Sequence, residues 1–151
     1  MSSNATRWSR CGSKALATDP SPYVRGAAAV ALGKLHAPDA FETLRDLLKV
    51  RSHREVIQKS ALEGLTALGD LRALPYARAM LPYNSCRGDH HSMRKAALDL
   101  LVALTPDDPE CHASVVEALD DGFHRMRGWA AEAAGRLKVR GAEARLRRMA
   151  D

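Results

Sequence analysis

The amino-acid sequence predicts an all-α fold, a right-handed α-solenoid of four helical hairpins preceded by one helix. The first observation is a phrase that recurs four times: an apolar residue, a polar residue and small residues, then Leu or Ala and Leu three positions apart. Its copies begin at Val24, Ile57, Met93 and Met126, in steps of 33, 36 and 33 residues. Self-similarity at this period is typical of stacked helical repeats rather than of one globular core.

The second observation is the composition of the 151-residue chain. Hydrophobic residues make up 46% and charged residues 27%, which excludes a disordered chain. Aromatic residues make up only 5%, so a core has to be built from Ala and Leu. Both residues favour helices, and Ala lets the axes of neighbouring helices approach closely.

Turn and capping signals are the third observation, and they place the repeat boundaries. We assign residues 1–18 to a half-repeat or N-terminal cap helix, 19–51 to repeat 1, 52–87 to repeat 2, 88–120 to repeat 3 and 121–151 to repeat 4, all in one domain. In repeat 1, the Asp-Pro-Ser-Pro segment before residue 23 caps a helix over about residues 23–35, and Pro38 opens a second helix. The apolar stripe of that second helix consists of Phe41, Leu44, Leu47 and Leu48.

The later repeats carry signals of the same kind. In repeat 2, Ser52 and Glu55 have the spacing of a capping box. In repeat 4, Gly141 separates the two helices, and Leu146 and Met149 on the second helix are expected to face inward.

The repeated order of Asp, then Val-Arg, then Ala-Ala-x-Ala-Leu-Gly-x-Leu resembles HEAT repeats. In that family, acidic and guanidinium groups commonly link neighbouring repeats. The resemblance implies three structural pairs between repeats, which are Asp19 with Arg25, Asp89 with Arg94, and Asp121 with Arg127. Because the pairs recur at one position of the repeat, this role is favoured over partner binding. Repeat 2 departs from the pattern, with Ser52 and Gln58 at these positions.

Four segments resemble a more specific group of proteins. The segments Asp19-Pro-Ser-Pro-Tyr-Val, Ser52-His-Arg-Glu-Val-Ile, Ala61-Leu-Glu-Gly-Leu and Leu68-Gly-Asp-Leu-Arg-Ala-Leu are similar to the C-terminal HEAT-like region of bacterial zinc aminopeptidases of the aminopeptidase N family. The resemblance covers nearly the whole chain and implies a non-catalytic helical module that packs against a peptidase domain. The zinc-binding motif of such peptidases, His-Glu-x-x-His, is absent from the sequence, so we expect no catalytic residues and no enzyme activity.

Binding is expected on the second helices of the hairpins. A protein partner, either a peptidase domain or another protein, should meet the concave surface that these helices form. The polar candidates on this surface are Glu42, Arg45, Lys49, Arg72 and Arg78.

The net charge of +5 lies entirely in the C-terminal part of the chain. Residues 1–124 hold 15 basic and 15 acidic side chains, whereas residues 125–151 hold eight basic and three acidic ones. Arg145, Arg147 and Arg148 are therefore candidates for phosphate binding, and a nucleic-acid-binding HEAT protein is the alternative function. A soluble end cap is the favoured interpretation, because the neutral remainder predicts no continuous basic groove. A phycobilin-lyase-type HEAT protein is a weaker alternative that rests on repeat resemblance alone.

Aromatic residues indicate the two ends of the stack. Trp129 stands where other repeats have a small residue, so it is predicted to mark the open C-terminal end. Trp8 and Leu16 belong to the first helix, which has no hairpin before it. We expect this N-terminal end to meet another domain or to self-associate.

One loop holds residue types that bind zinc. It contains Cys86, Asp89, His90 and His91, and Cys111-His112 follows later in the same repeat. Their spacing matches no zinc finger, and loops between helices collect polar residues by default. A solvated loop is the favoured interpretation, so we expect no metal and no cofactor.

The sequence also predicts where the chain resides. No apolar run approaches the roughly 18 residues of a membrane span, and the first residues lack the apolar centre of a signal peptide. The three cysteines form no even disulfide set. We therefore expect a cytoplasmic protein with no membrane partner.

Overall fold

The computed structural model describes residues 19–85 and 91–151, and all regular secondary structure in these two ranges is helical. The α-helices of the described residues are α1 (Pro22–Lys34), α2 (Ala40–Leu47), α3 (Val56–Leu68), α4 (Leu74–Met80), α5 (Ser92–Leu104), α6 (Pro109–Ala118), α7 (His124–Leu137) and α8 (Glu143–Ala150). Short 3-10 helices cover His53–Glu55, Leu71–Ala73, Tyr83–Ser85 and Arg140–Ala142. The predicted helix with Trp8 and Leu16 lies outside the described residues.

The chain divides into two compact units, residues 1–76 and residues 77–151. In the first unit, α1 and α2 both pack against α3. In the second unit, α7 packs against both α5 and α6. The first helices of consecutive repeats therefore contact each other within each unit, as stacked hairpins require. The all-α prediction is confirmed and fits an α-solenoid, and the handedness stays a prediction.

Small residues bring α1 and α3 into close contact in the first unit. A Cβ atom on Gly33 would lie 2.0 Å from the carbonyl oxygen of Gly64. A Cβ atom on Gly64 would lie 2.8 Å from the carbonyl oxygen of Ala29. The two backbones can touch at this crossing only because neither position carries a side chain.

Leucines surround this crossing and form the core of the first unit. The predicted stripe on α2 is confirmed, because each of its members is at most 7% exposed. Ile57 and Leu65 on α3 are also buried. Val24 is 44% exposed, so the first copy of the repeated phrase does not bury its lead residue as the other three copies do.

The turn before α3 differs from the expected capping box. The hydroxyl of Ser52 accepts a hydrogen bond from the backbone N–H of Ile57 at 3.0 Å, two residues beyond the position that a capping box uses. The cause is the backbone between them, because Arg54 and Glu55 adopt φ values of 53° and 56° and delay the start of α3. At its other end, α3 stops at Gly69, whose φ of 74° suits glycine.

In the second unit, α6 begins at a side-chain cap followed by a proline. Asp108 caps α6 by accepting a hydrogen bond from the N–H of Glu110 at 3.0 Å, and Pro109 occupies the first helical position. The buried core combines Met93 and Met126 with the following residues of the repeated phrase: Ala97, Leu101, Ala130 and Ala134.

The C-terminal helix α8 corrects one expectation. Leu146 is half-buried, but Met149 is 44% exposed and does not face inward. The reason is position, because α8 contacts the Arg140–Ala142 turn at its start and Met149 lies in its last turn.

Among the described residues, no helix combines the length and the apolar character that crossing a membrane requires.

Candidate partner-binding surfaces

An exposed charged network in the first unit joins α2 to the Leu71–Ala73 3-10 helix, which directly precedes α4. Arg72 donates to Glu42 at 3.2 Å and to Asp70 at 2.7 Å. Its guanidinium also lies 4.0 Å from the centre of the Phe41 ring, which is a cation–π contact. Hydrogen bonds from the Arg72 side chain hold the pKa of Asp70 below its ordinary value against a smaller opposing effect of burial.

A second charged group lies at the C-terminal end of α2. Arg45 and Lys49 both contact the carboxylate of Asp46, each at 3.2 Å. The hydrogen bond from Lys49 is the largest influence on Asp46 and, with Arg45, keeps its pKa low although desolvation raises it. These two predicted candidates are therefore neighbours at the C-terminal end of α2, where Asp46, an acidic residue that the sequence interpretation did not select, joins them.

Arg78 is the corresponding candidate in the second unit, and it also contacts two carboxylates. It contacts Glu110 at 2.7 Å and Asp108 at 3.4 Å, and both partners belong to the start of α6. Asp108 therefore both caps α6 and binds an arginine from the preceding repeat. Arg78 is about one-third exposed and its carboxylate partner Glu110 is mostly exposed.

These contacts share a sequence separation of about one repeat. Glu42 and Arg72 are 30 residues apart, and so are Arg78 and Asp108. Each pair joins the second helices of two consecutive repeats, so the predicted candidates Glu42, Arg72 and Arg78 link repeats as well as facing solvent. Ion pairs this exposed contribute little to stability, and their main effect is to order the side chains.

Arg94, the arginine of repeat 3, pairs with Asp121 of the next repeat, whereas its predicted pairing with Asp89 stays a prediction. Arg94 is only 1% exposed and makes a two-pronged contact with the Asp121 carboxylate, one bond of which measures 3.2 Å. It also donates to the carbonyl oxygen of Leu81 at 2.7 Å and contacts His91 Nδ1 at 3.2 Å. Asp89 lies outside the described residues.

The other two predicted pairs differ in their atoms. Arg127 donates to the backbone carbonyl of Asp121 at 2.8 Å, whereas the carboxylate of that residue serves Arg94. The carboxylate of Asp19 accepts a hydrogen bond from the backbone N–H of Ser21 at 2.8 Å, which organises the start of α1. The pairing of Asp19 with Arg25 stays a prediction.

Aromatic rings cover the buried Arg94–Asp121 pair. The His91 ring stacks on Phe123 at 3.9 Å and lies 5.3 Å from Tyr83. Burial opposes the ionisation of Asp121, but hydrogen bonds from Arg94 and from the N–H of Phe123 outweigh it, so the pKa of Asp121 lies below its ordinary value. The pair is a fixed structural link between repeats 3 and 4.

Trp129 packs toward the preceding repeat, which corrects its expected place at the open end. It is half-buried, and its ring meets the edge of Phe123 at a distance of 6.2 Å between centres. The ammonium of Lys95 on α5 lies 5.8 Å from the Trp129 ring. The Trp129 side chain therefore contacts Lys95 of repeat 3 and Phe123 of its own repeat.

Two of the three candidate phosphate-binding arginines are bound to carboxylates. Arg145 contacts Asp120 at 2.6 Å, and Arg147 contacts Glu143 at 2.7 Å. Arg148 is exposed and has no ion pair among the described residues. Asp120 lies outside residues 125–151 and offsets one charge that the sequence count of this segment leaves unbalanced, whereas Glu143 is already in that count.

The described part of the chain contains no group of three or more His, Cys, Asp and Glu side chains placed to hold a metal ion. The candidates Cys86 and His90 lie outside it, and His91 is buried against aromatic rings. Cys111 is buried, and desolvation raises the pKa of its thiol. Its neighbour His112 contacts the carbonyl oxygen of Pro106 at 2.7 Å.

A shallow groove of about 510 Å³ lies beside α8 and was missed by sequence reasoning. We refer to it as the C-terminal groove, and it is lined by Ala134, Lys138, Val139, Arg140, Glu143, Leu146, Arg147 and Ala150. A second depression of about 550 Å³ lies on the other side of the 138–140 turn and shares Lys138, Val139 and Arg140 with the groove. The only sequence signal was the alternation of basic and apolar residues from Arg136 to Arg140.

Comparison with known proteins supports the interpretation of this chain as a repeat protein. A family described as HEAT repeats matches residues 13–87, which include α1, α2, α3 and α4. No curated protein matches the chain significantly. HEAT repeats are generally protein-interaction modules without catalytic activity.

Proposed function

We propose that this chain, a HEAT-like repeat protein, is a non-catalytic module that binds a protein partner through the second helices of its hairpins. The family match supports the general role, because HEAT repeats commonly mediate protein interactions. The surface chemistry supports the location of the binding face.

The observation that carries the proposal is the ordered charge on the second helices. The Arg72 side chain is 60% exposed and Glu42 is 49% exposed, yet both are held by each other, and Arg72 also by Asp70 and Phe41. A side chain that is already fixed loses less conformational entropy when a partner arrives. Exposed and pre-ordered polar groups of both signs are suited to selecting a complementary surface.

The finer part of the proposal concerns the partner. The four segments that resemble the C-terminal region of aminopeptidase N favour a peptidase domain as the protein bound. In that case the array is right-handed, its second helices form a concave face, and the chain is a non-catalytic helical region working beside a cytoplasmic peptidase.

Binding measurements with an isolated catalytic domain of the aminopeptidase N family test the finer part. We expect Arg72→Gln to weaken binding about fivefold or more, because it removes one ordered charge from the face. Lys59→Gln is the matched control, since Lys59 is equally cationic and half-exposed but lies on the first helix α3. Absence of binding by the parent chain would exclude the peptidase partner.

Proximity labelling in cells tests the general role without assuming the partner. The parent chain should enrich a small set of proteins that the Arg72→Gln and Glu42→Gln variants lose and the Lys59→Gln variant keeps. If the three variants label the same proteins as the parent, the binding face is not on the second helices. Circular dichroism should confirm that all three remain folded.

A further inference from the structure

We propose that the C-terminal groove binds an acidic amphipathic helix of another protein. This inference rests on the proposed protein-binding role and adds a second surface with a partner of defined chemistry. The groove lies within the second unit beside α8, and none of its lining residues takes part in the ion pairs of Arg72 and Arg78 described above.

The floor of the groove is apolar. Ala134, Val139 and Leu146 line it together with the exposed Ala150 at the end of α8. Apolar side chains at the bottom of an open groove accept the apolar stripe of a docking helix. Because α8 has eight residues, it is about 12 Å long and accommodates roughly two turns of such a helix.

The rim of the groove is basic. Lys138, Arg140 and Arg147 line it, and Glu143 is the one acidic residue among its lining side chains. Lys138 and Arg140 stand on the turn shared with the neighbouring depression, so they flank both concavities. Neither has an ion pair among the described residues, whereas Arg147 is bound to Glu143. The unbalanced positive charge selects acidic groups beside the apolar stripe.

The same features disfavour nucleic acid as the occupant. A phosphate backbone is bound by a row of open cations and gains nothing from an apolar floor. Here the cations of Arg145 and Arg147 are already bound to carboxylates. A protein helix uses both parts of the groove, the floor and the rim.

The backbone at Lys138 makes a clean test available. Lys138 ends α7 with a φ of 55°, a left-handed conformation that glycine adopts without strain. The substitution Lys138→Gly therefore removes a rim charge while preserving the fold. At the opposite end of the groove, Ala150→Glu adds a carboxylate at an exposed position.

The probe is a synthetic helical peptide with Leu at positions i, i+3, i+4 and i+7 and Glu on both sides of this stripe. Its binding to the full chain is measured by fluorescence anisotropy. We expect Lys138→Gly and Arg140→Gln each to weaken binding about two- to fivefold, and Ala150→Glu to weaken it at least as much. Arg125→Gln and Ala144→Glu are the matched controls, because both residues are exposed in the second unit and line no groove.

Four outcomes overturn the inference. In the first, the parent chain does not bind the peptide, and in the second, a peptide with Lys in place of Glu binds equally well. In the third, the groove variants and the control variants have equal effects. In the fourth, a duplex DNA displaces the peptide and binds more tightly than the peptide does. Sedimentation gives a fifth, since a parent dimer that Ala150→Glu dissociates would make a second copy of the chain the occupant.

The result is separable from the proposed function. If cellular partners are lost in the Arg72→Gln and Glu42→Gln variants but kept in the Lys138→Gly and Ala150→Glu variants, the proposed function stands and the groove is excluded as a binding site. If the peptide binds at the groove and the Arg72→Gln variant keeps its cellular partners, the groove stands as a binding site and the second-helix face is excluded.

Discussion

At the residue scale, the contact between Gly33 and Gly64 sets how closely α1 and α3 pack. A methyl group on Gly33 would have to share space with a backbone oxygen 2.0 Å away, and a backbone cannot swing aside as a side chain does. The sequence alone does not pair Gly33 with Gly64. The packing role was invisible because Gly64 belongs to the next repeat.

Gly33→Ala should therefore destabilise the chain by at least about 3 kcal/mol, because the helices must separate along their contact. Gly128→Ala on α7 is the control, since no atom beyond the neighbouring residues and nearby backbone of its own helix lies within 4 Å of the Cβ that it would add. That change should stabilise the chain by about 0.5–1 kcal/mol through higher helix propensity. Urea unfolding measures both, and equal stabilities of the two variants would refute the close contact.

The second feature at this scale is the buried pair of Arg94 and Asp121. Asp121→Asn leaves the almost fully buried Arg94 without its charged partner, and we expect a loss of about 3–5 kcal/mol near neutral pH. Asp120→Asn is the neighbouring control, because Asp120 is mostly exposed and its contact with Arg145 is solvated. Its effect should be small.

The same pair predicts a pH dependence. Because the folded-state pKa of Asp121 is lowered, its contribution to stability is present above the unfolded-state pKa of about 3.9 and is lost as the pH falls through the folded-state pKa. The difference in unfolding free energy between parent and Asp121→Asn should thus be constant from about pH 5 to 7 and shrink below about pH 4. A difference that grows on acidification would contradict the ion pair.

At the scale of elements, local signals located the helices and long-range packing decided their faces. Pro22 in the Asp-Pro-Ser-Pro segment was readable as a helix start, because a proline at the first turn acts on its own neighbours alone. The Arg94–Asp121 and Glu42–Arg72 partners were not readable, since each joins residues a repeat apart. Several arginines and acids stand at suitable spacings, and only the packed helices choose among them.

The register of α1 illustrates what an alignment of the repeated phrase does not predict. Aligning the repeats by their phrase equates Ala28 with Ala97, but Ala28 is half-buried while Ala97 and Ala29 are fully buried. We expect Ala97→Leu and Ala29→Leu each to cost about 1–3 kcal/mol by overpacking. Ala28→Leu should cost less than about 1 kcal/mol. Thermal midpoints that fall equally in all three variants would show that Ala28 also faces a neighbouring helix.

At the scale of the whole molecule, ion pairing redistributes the charge counted from the sequence. Of the eight basic side chains in residues 125–151, Arg145 and Arg147 are compensated by carboxylates. Among the six others, Lys138 and Arg140 line the C-terminal groove, and Arg125, Arg127, Arg136 and Arg148 do not. A surface of this kind attracts polyanions weakly and without base recognition.

Binding to duplex DNA should accordingly be weak and fall steeply as salt rises. Arg148→Gln should reduce it more than Arg145→Gln, because Arg148 has no ion pair among the described residues and Arg145 is bound to Asp120. Fluorescence anisotropy at two salt concentrations measures this. Tight binding at physiological salt that survives loss of Arg145, Arg147 and Arg148 would favour a nucleic-acid module over the proposed function.

The links between repeats also bear on how the chain is made. The contacts of Arg72, Arg78, Arg94 and Arg145 join residues that are 30, 30, 27 and 25 positions apart. Each partner is thus synthesised within about 1–6 s of the other at ordinary translation rates. Folding should proceed on the ribosome one repeat at a time, and nascent chains should protect α3 from protease before residues 121–151 are translated. If α3 is protected only after release of the full chain, folding is post-translational.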